Sequence, residues 1–322
     1  MTSFITFITH FGHYAGAFFA IALSAIGASL GQSISFEGTA NAISRQLESR
    51  KIIKQLQFVG LLFIESGPAL GLIFVILFIF TKNSVQTLPM SIVEMSIGFS
   101  FGLSALFSGI AAGNAVNAAA HASARQPFIG KKLSTFMLLM ESFAEVSTIF
   151  SFILGILIYS KVSPTLTIQD AIKFSAASLT LSLATVGTGI AQALLARANI
   201  AAVGLNQYMY GKIVTFTFIT SAFIETPIFF AFFIAFKVLY SSTLHLTPIQ
   251  CLSFFGISLA SGLGSAGPAI SAAHVSTKST LQAALNPSQY DSLRKTTVFI
   301  QLLLESGAIY SLLLSIIISI II

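Results

Sequence analysis

Long apolar runs separated by short polar clusters set the character of this chain. The runs at 58–80, 136–159, 213–240 and 298–322 are each long enough, at about 1.5 Å per residue, to cross a hydrocarbon core of about 30 Å. Stretches richer in Gly, Ala and Ser alternate with them, at roughly 12–44, 91–124, 171–204 and 250–284. The alternation predicts an all-α membrane protein of eight transmembrane helices, paired as four parallel helical hairpins.

Composition narrows the picture. With 55% hydrophobic and 8% charged residues in 322, the solvent of most of the chain is lipid, which excludes the two soluble domains that its length would otherwise permit. A net charge of +6 then reports topology through the positive-inside rule, and no nucleic-acid partner is implied. Arg45, Arg50, Lys51, Lys54, Arg125, Lys131, Lys132, Lys212, Arg294 and Lys295 are expected in connections after odd-numbered helices. Lys82, Lys161, Lys173 and Lys237 lie in or near the even ones. Odd connections therefore face the cytoplasm or its equivalent, and both termini the opposite side. The N-terminus has no basic start or cleavage site, so its first apolar segment reads as a retained span. A single cysteine, Cys251, has no partner for a disulfide or a metal site and is expected to pack. No nucleotide-binding loop, metal-ligand cluster or nucleophile triad is present, so the chain is not expected to be an enzyme by itself or to hold a cofactor.

A repeat carries the functional signal. Glu65, Glu145, Glu225 and Glu305 follow one another at intervals of 80 residues, each in the second helix of a helix-loop-helix unit. The units divide the chain at 1–84, 85–164, 165–244 and 245–322. Each period holds two spans, so all copies run the same way through the membrane and their carboxyls share one depth. Secondary transporters are more often built from inverted halves. Glu65 is 11 residues past Lys54, which at about 1.5 Å per residue is roughly 16 Å from the basic interface and close to the midplane. A carboxylate there costs about 2.5 kcal/mol or more unless it is protonated, paired or bound to a cation. Four neutral packing residues would each need the same unusual hydrogen bonds, so an ion-carrying role is the stronger reading.

The odd-numbered helices supply small residues at helical spacing: Gly27, Ala28 and Gly31, then Gly109 and Gly113, then Gly187 and Gly189, then Gly262, Gly264 and Gly267. Such residues let backbones approach closely and predict a crowded inner row of helices wrapped by bulkier outer ones.

These residues together resemble the c subunit of F-type ATP synthases, a family of hairpins with a Gly-rich first helix, an Arg-Gln-Pro loop and a carboxyl in the second helix. The loop reads Arg45-Gln46-Leu47 in the first unit and Arg125-Gln126-Pro127 in the second, then decays to Asn206-Gln207 and Asn286-Pro287. In each intact loop the Arg precedes its Glu by 20 residues. The fourth unit adds Gly267-Pro268 and Leu304-Glu305-Ser306-Gly307-Ala308-Ile309-Tyr310. The resemblance spans nearly the whole chain. It implies a homo-oligomeric c-ring in membrane lipid that turns against a stator a subunit, with the polar loops touching the central stalk subunits. Each Glu would accept an ion from one half-channel and release it to another. Loss of Arg-Gln from units three and four puts stalk contact by those loops in doubt.

In that family, sodium carriers resemble one another in having a Gln on the first helix and a Ser or Thr directly after the Glu, since a dehydrated cation needs several oxygen ligands. Proton carriers need only the carboxyl. Gln32, Glu65 and Ser66 match the sodium pattern in the first unit, and Gln192, Glu225 and Thr226 match it in the third. The fourth keeps Glu305, Ser306 and Tyr310, the tyrosine being expected to hydrogen-bond the carboxyl, but holds Ala272 at the Gln position; the second has Ala112 or Ser108 there and Val146 after its Glu. Sodium and protons both stay open, with sodium favoured. Glu141, one turn before Glu145 on the same face, either shares a proton or cation with it or hydrogen-bonds a neighbour. Glu37, Arg197 and His274 are expected to snorkel or meet lumen water. Pro68 and Pro227, just past their glutamates, each free a backbone carbonyl. Two other readings compete with the F-type rotor: the ion-pumping proteolipid of a V-type ATPase, in which fused hairpins are common, and an autonomous eight-helix ion transporter. A ring made only of this chain contains hairpins in multiples of four, with three chains as the expected number.

Overall fold

The computed structural model describes residues 2–80, 86–243 and 246–321, with side chains from residue 9 onward. Lys82 and the proposed unit boundaries at 84/85 and 244/245 lie outside the described residues. The helices are α1 (Thr2–Arg45), α2 (Arg50–Ile64), α3 (Ser66–Phe80), α4 (Leu88–Arg125), α5 (Gly130–Tyr159), α6 (Ile168–Leu205), α7 (Tyr210–Leu239), the single turn α8 (Pro248–Cys251), α9 (Ser253–Leu285) and α10 (Tyr290–Ile321). They make eight spans long and apolar enough to cross a membrane, because α2 and α3 form one rod and α8 leads directly into α9.

The break between α2 and α3 falls on Glu65. Pro68 has no N–H for the Ile64 carbonyl, while Glu65 N still donates to Leu61 O at 2.9 Å and Ala69 N to Glu65 O at 3.2 Å, so the rod continues. Pro227 sits inside α7 without ending it.

The hairpin tips repeat almost identically. Gln46, Gln126, Asn206 and Asn286 each break the helix with φ of −143°, −132°, −143° and −126° and ψ of 88°, 74°, 96° and 77°. A single 3-10 turn follows each, and the second helix begins at once. Only four residues therefore separate the helices of a hairpin. This corrects the longer basic connections expected from the sequence: Arg50, Lys51, Lys54, Lys131, Lys132, Lys212, Arg294 and Lys295 stand on the first turns of the second helices. Those turns extend past the apolar span, where hydropathy carries no helical signal. At the other end Thr87, Thr167 and Thr247, also 80 residues apart, occupy extended N-cap positions. The Thr167 and Thr247 hydroxyls accept from the third backbone N–H of their helices, satisfying one of the free donors there.

In the inner row α1 packs on α4, α4 on α6 and α6 on α9. The second helices form an outer row. The first three of them each rest on their own inner helix and on the inner helix of the following hairpin, as α5 does on α4 and α6. The row is open, with α1 at one end and α9 at the other. Close approach is steric in origin: a Cβ at Gly98 would run into the Gly16 carbonyl, and one at Gly31 into that of Gly109. Gly264 instead faces Ser311 of its own hairpin, and Gly267 faces open space.

Hairpins pack in the register of the repeat. Tyr159 Oη donates to Leu77 O at 3.0 Å, Ser100 Oγ to Ser178 O at 2.8 Å, Tyr290 Oη to Lys212 O at 3.0 Å and Asn117 Nδ2 to Ile34 O at 2.8 Å. Separations of 78 to 83 residues in these bonds keep equivalent positions at one level. Two apolar clusters result. One gathers Phe136, Leu195, Ile200, Ile213 and Phe216 toward the hairpin tips, the other Phe74, Phe101, Leu154, Leu181 and Ile234 toward the opposite side. Between them runs a buried belt of Ser104, Ser108, Glu145, Ser147, Thr185, Thr188 and Gln192.

Candidate functional site

The four repeated glutamates lie at the level of that belt, and the chain surrounds them unequally. Glu65 accepts a hydrogen bond from Gln32 Nε2. Glu225 accepts one from Gln192 Nε2 at 3.3 Å, across the same inner-to-outer step of its own hairpin. Ser147 and Thr188 line the small pocket beside Glu225 together with Val146, the residue that leaves this site without a hydroxyl after the preceding glutamate. Glu145 is 8% exposed. Its Oε1 accepts from Ser66 Oγ at 2.7 Å and from Ser108 Oγ at 3.2 Å. The groove over it, about 580 Å³, is lined by Leu62, Phe63, Ser66 and Ile149 among others. The Thr226 side chain lies beside Glu305, its hydroxyl donating to Ala222 O at 2.8 Å.

This corrects the grouping of residues expected from the sequence. Spacing pairs Ser66 with Glu65 and Thr226 with Glu225, but the Ser66 hydroxyl reaches the carboxyl of the next hairpin and Thr226 stands beside that of Glu305. The reason is helical geometry: successive residues point about 100° apart, so the residue after a Glu faces the neighbouring helix. The Glu145 site therefore combines a hydroxyl from one hairpin with a carboxyl from the following one. Ser108, and not Ala112, is the inner-helix residue that meets Glu145. Among the described residues, Ser306 Oγ donates to Leu303 O at 2.7 Å and meets no carboxyl of another hairpin. Tyr310 is 69% exposed and has no hydrogen bond to Glu305 among the described residues. It lies five residues on, well round the helix from the carboxyl.

Glu141 is fully buried, with no partner for either oxygen among the described residues. Room for it comes from Gly60 of the first hairpin, where a Cβ would stand 2.8 Å from Glu141 Oε1. At the tips, Arg45 and Arg125 are exposed while Gln46, Gln126 and Pro127 are half-buried. Arg45, Arg125 and Arg197 line an open cavity of about 590 Å³ with Glu37, Asn117 and His121, the polar space expected for the charged ends of the inner helices. Two features of the structure have no counterpart in the sequence reading. Phe128 and Tyr208, at equivalent positions of the repeat, project 98% and 91% exposed from the second and third tips. On the far side, His13 Nδ1 and Gln86 Nε2 meet Glu94 Oε2 at 2.7 and 2.8 Å, a buried link between α1 and α4. A lone Glu in an inner helix is the signal for it. Cys251 is fully buried, in packing.

The family model for the c subunit of ATP synthase matches residues 15–78, 95–158 and 255–318. The chain belongs to the ATP synthase c-subunit family. The matches start 80 and 160 residues apart, the same period that spaces the glutamates, so they fall in the first, second and fourth hairpins. Members of the family are ion-translocating, non-catalytic proteolipids of the membrane. This one is accordingly a multi-pass integral membrane protein with several c-subunit hairpins fused in one polypeptide.

Proposed function

We propose that this chain forms the c-ring of an F-type ATP synthase and that Glu65, Glu145, Glu225 and Glu305 carry its ions. The observation that carries the reading is the division of the Glu145 site between consecutive hairpins, Ser66 coming from one and the carboxyl from the next. Among the described residues Glu65 has its Gln32 but no hydroxyl from another hairpin, and Ser306 has a hydroxyl but no carboxyl from another hairpin. These two incomplete ends complement each other, so copies joined head to tail would supply Ser306 of one chain to Glu65 of the next. Closure of such a heterologous contact gives a ring, with the hairpin tips toward the central stalk, both termini on the opposite side, lipid around the Phe-rich outer helices and the stator a subunit sweeping past the carboxyls. The four units are 1–84, 85–164, 165–244 and 245–322.

Sodium is the proposed cargo over protons, because Gln32, Gln192 and Ser66 place amide or hydroxyl groups on the carboxyls, and a dehydrated cation requires several oxygens. Labelling of the purified ring with dicyclohexylcarbodiimide tests both parts. The carboxyls should react, and sodium at fixed pH should protect them; protection governed by pH alone would assign protons instead. The V-type reading is supported by the fusion of hairpins, the F-type by Arg125-Gln126-Pro127. ATP synthesis by the purified complex under an ion gradient separates them.

A further inference from the structure

Aligning the hairpins on their carboxyls exposes an exchange between helices. The inner-helix position of Gln32 and Gln192 is filled by Ala112 and Ala272 in the second and fourth hairpins. The outer-helix position one turn before the carboxyl shows the reverse. It holds Leu61 and Ser221 where the inner Gln is present, and Glu141 and Gln301 where it is absent.

The structure gives this pattern a physical basis in the fourth hairpin. Gln301 is fully buried, and its Nε2 donates to the backbone carbonyl of Ala272 at 3.1 Å. Its amide thus reaches across to the inner-helix position where the first and third hairpins root theirs. That bond fixes the orientation of the amide, since only the NH2 end can face a carbonyl oxygen. Among the described residues Gln301 Oε1 is left buried without a partner, as is Gln192 Oε1 in the third hairpin. A carbonyl oxygen stripped of water and given no donor is costly, and here it recurs at two sites beside the repeated carboxyls.

We infer that Gln301 supplies the amide oxygen ligand of the cation held by Glu305, taking over from the outer helix the role that Gln32 and Gln192 have on the inner one, and that Glu141 stands in the same position at the second site. The inference rests on the reading of Glu305 as a sodium-binding carboxyl. It makes the rotor a ring of two alternating site types, with the ligand on the inner helix in odd hairpins and on the outer helix in even ones. Glu305 and Thr226 supply the remaining side-chain oxygens at the fourth site.

The test uses the full chain assembled in its ring, with carbodiimide labelling at fixed pH resolved by peptide mass spectrometry for each Glu. In Gln301→Ser the sodium concentration that protects Glu305 should rise about tenfold or more, the scale on which loss of a metal-site partner acts, while that for Glu225 stays unchanged. Adding Ala272→Gln recreates the Gln192 and Ser221 pair of the third hairpin and should restore protection. Restoration separates ligation from packing damage, because the double variant is no closer to the native core than the single one. Unchanged protection of Glu305 in Gln301→Ser, or a double variant that assembles without recovering it, overturns the inference alone. Absence of sodium protection at all four carboxyls in the unaltered ring overturns the sodium reading beneath it.

Discussion

Glu65 and Glu145 occupy equivalent places in consecutive hairpins, yet one is exposed and the other buried. The difference lies in neighbours. Glu145 has the first hairpin on its flank, which brings Ser66 to 2.7 Å and covers it with Leu62 and Phe63. Among the described residues Glu65 has only its own Gln32. A hairpin is therefore half a site, and a carboxyl becomes enclosed only when another hairpin precedes it in the row.

The largest effect that would sharpen this comparison comes from removing the carboxyls. Glu65→Gln and Glu145→Gln should each reduce ATP synthesis by the reconstituted complex to background, because every site passes the same stator. Retained synthesis in Glu65→Gln alone would make the exposed site a silent one. Packing of the inner row comes next. Gly98→Leu forces a side chain into the Gly16 carbonyl, an overpacking that costs about 1–3 kcal/mol or more, and should lower the yield of intact ring on native gels. The hydroxyls give a smaller and more local effect. Ser66→Ala removes a hydrogen bond to a charged group worth about 1.5–3 kcal/mol, so it should weaken sodium protection of Glu145 by roughly tenfold or more and leave Glu65 as it was. The reverse result would return Ser66 to its own hairpin. Ser306→Ala should act in the same way on Glu65 of the adjoining copy. The smallest effect is expected at the tips: replacing Arg45 and Arg125 by Ala should weaken stalk binding in a pull-down by about 0.2–1 kcal/mol per exposed contact, while replacing Asn206 and Asn286 should change little. Equal effects from both pairs would remove the division of labour.

The architecture was legible because two signals are long-range in sequence and insensitive to detail: apolar runs of membrane length, and a carboxyl every 80 residues. Helix starts were less legible, since Arg50, Lys51 and Lys54 are helical yet too polar to register as span. Within the site, Gln32 beside Glu65 and Gln192 beside Glu225 could be read from spacing. The destination of Ser66 could not, because a residue adjacent in sequence is turned away in a helix and its partner is set by inter-hairpin register. Gln301 escaped for a related reason: on its own it is a polar residue near a Glu, and it acquires meaning only once its amide is seen at Ala272. Tyr310 shows the converse, a resemblance to a family pattern without the contact that the pattern implies.

The central claim is that copies of this chain complete one another's sites in a closed ring. Native mass spectrometry of the purified rotor tests it most directly. The account predicts a mass that is a whole multiple of 34.2 kDa, with three copies the expected number, and a hairpin count divisible by four. A lone 34.2 kDa chain active in ion transport, or a ring whose hairpin count is not divisible by four, would contradict it.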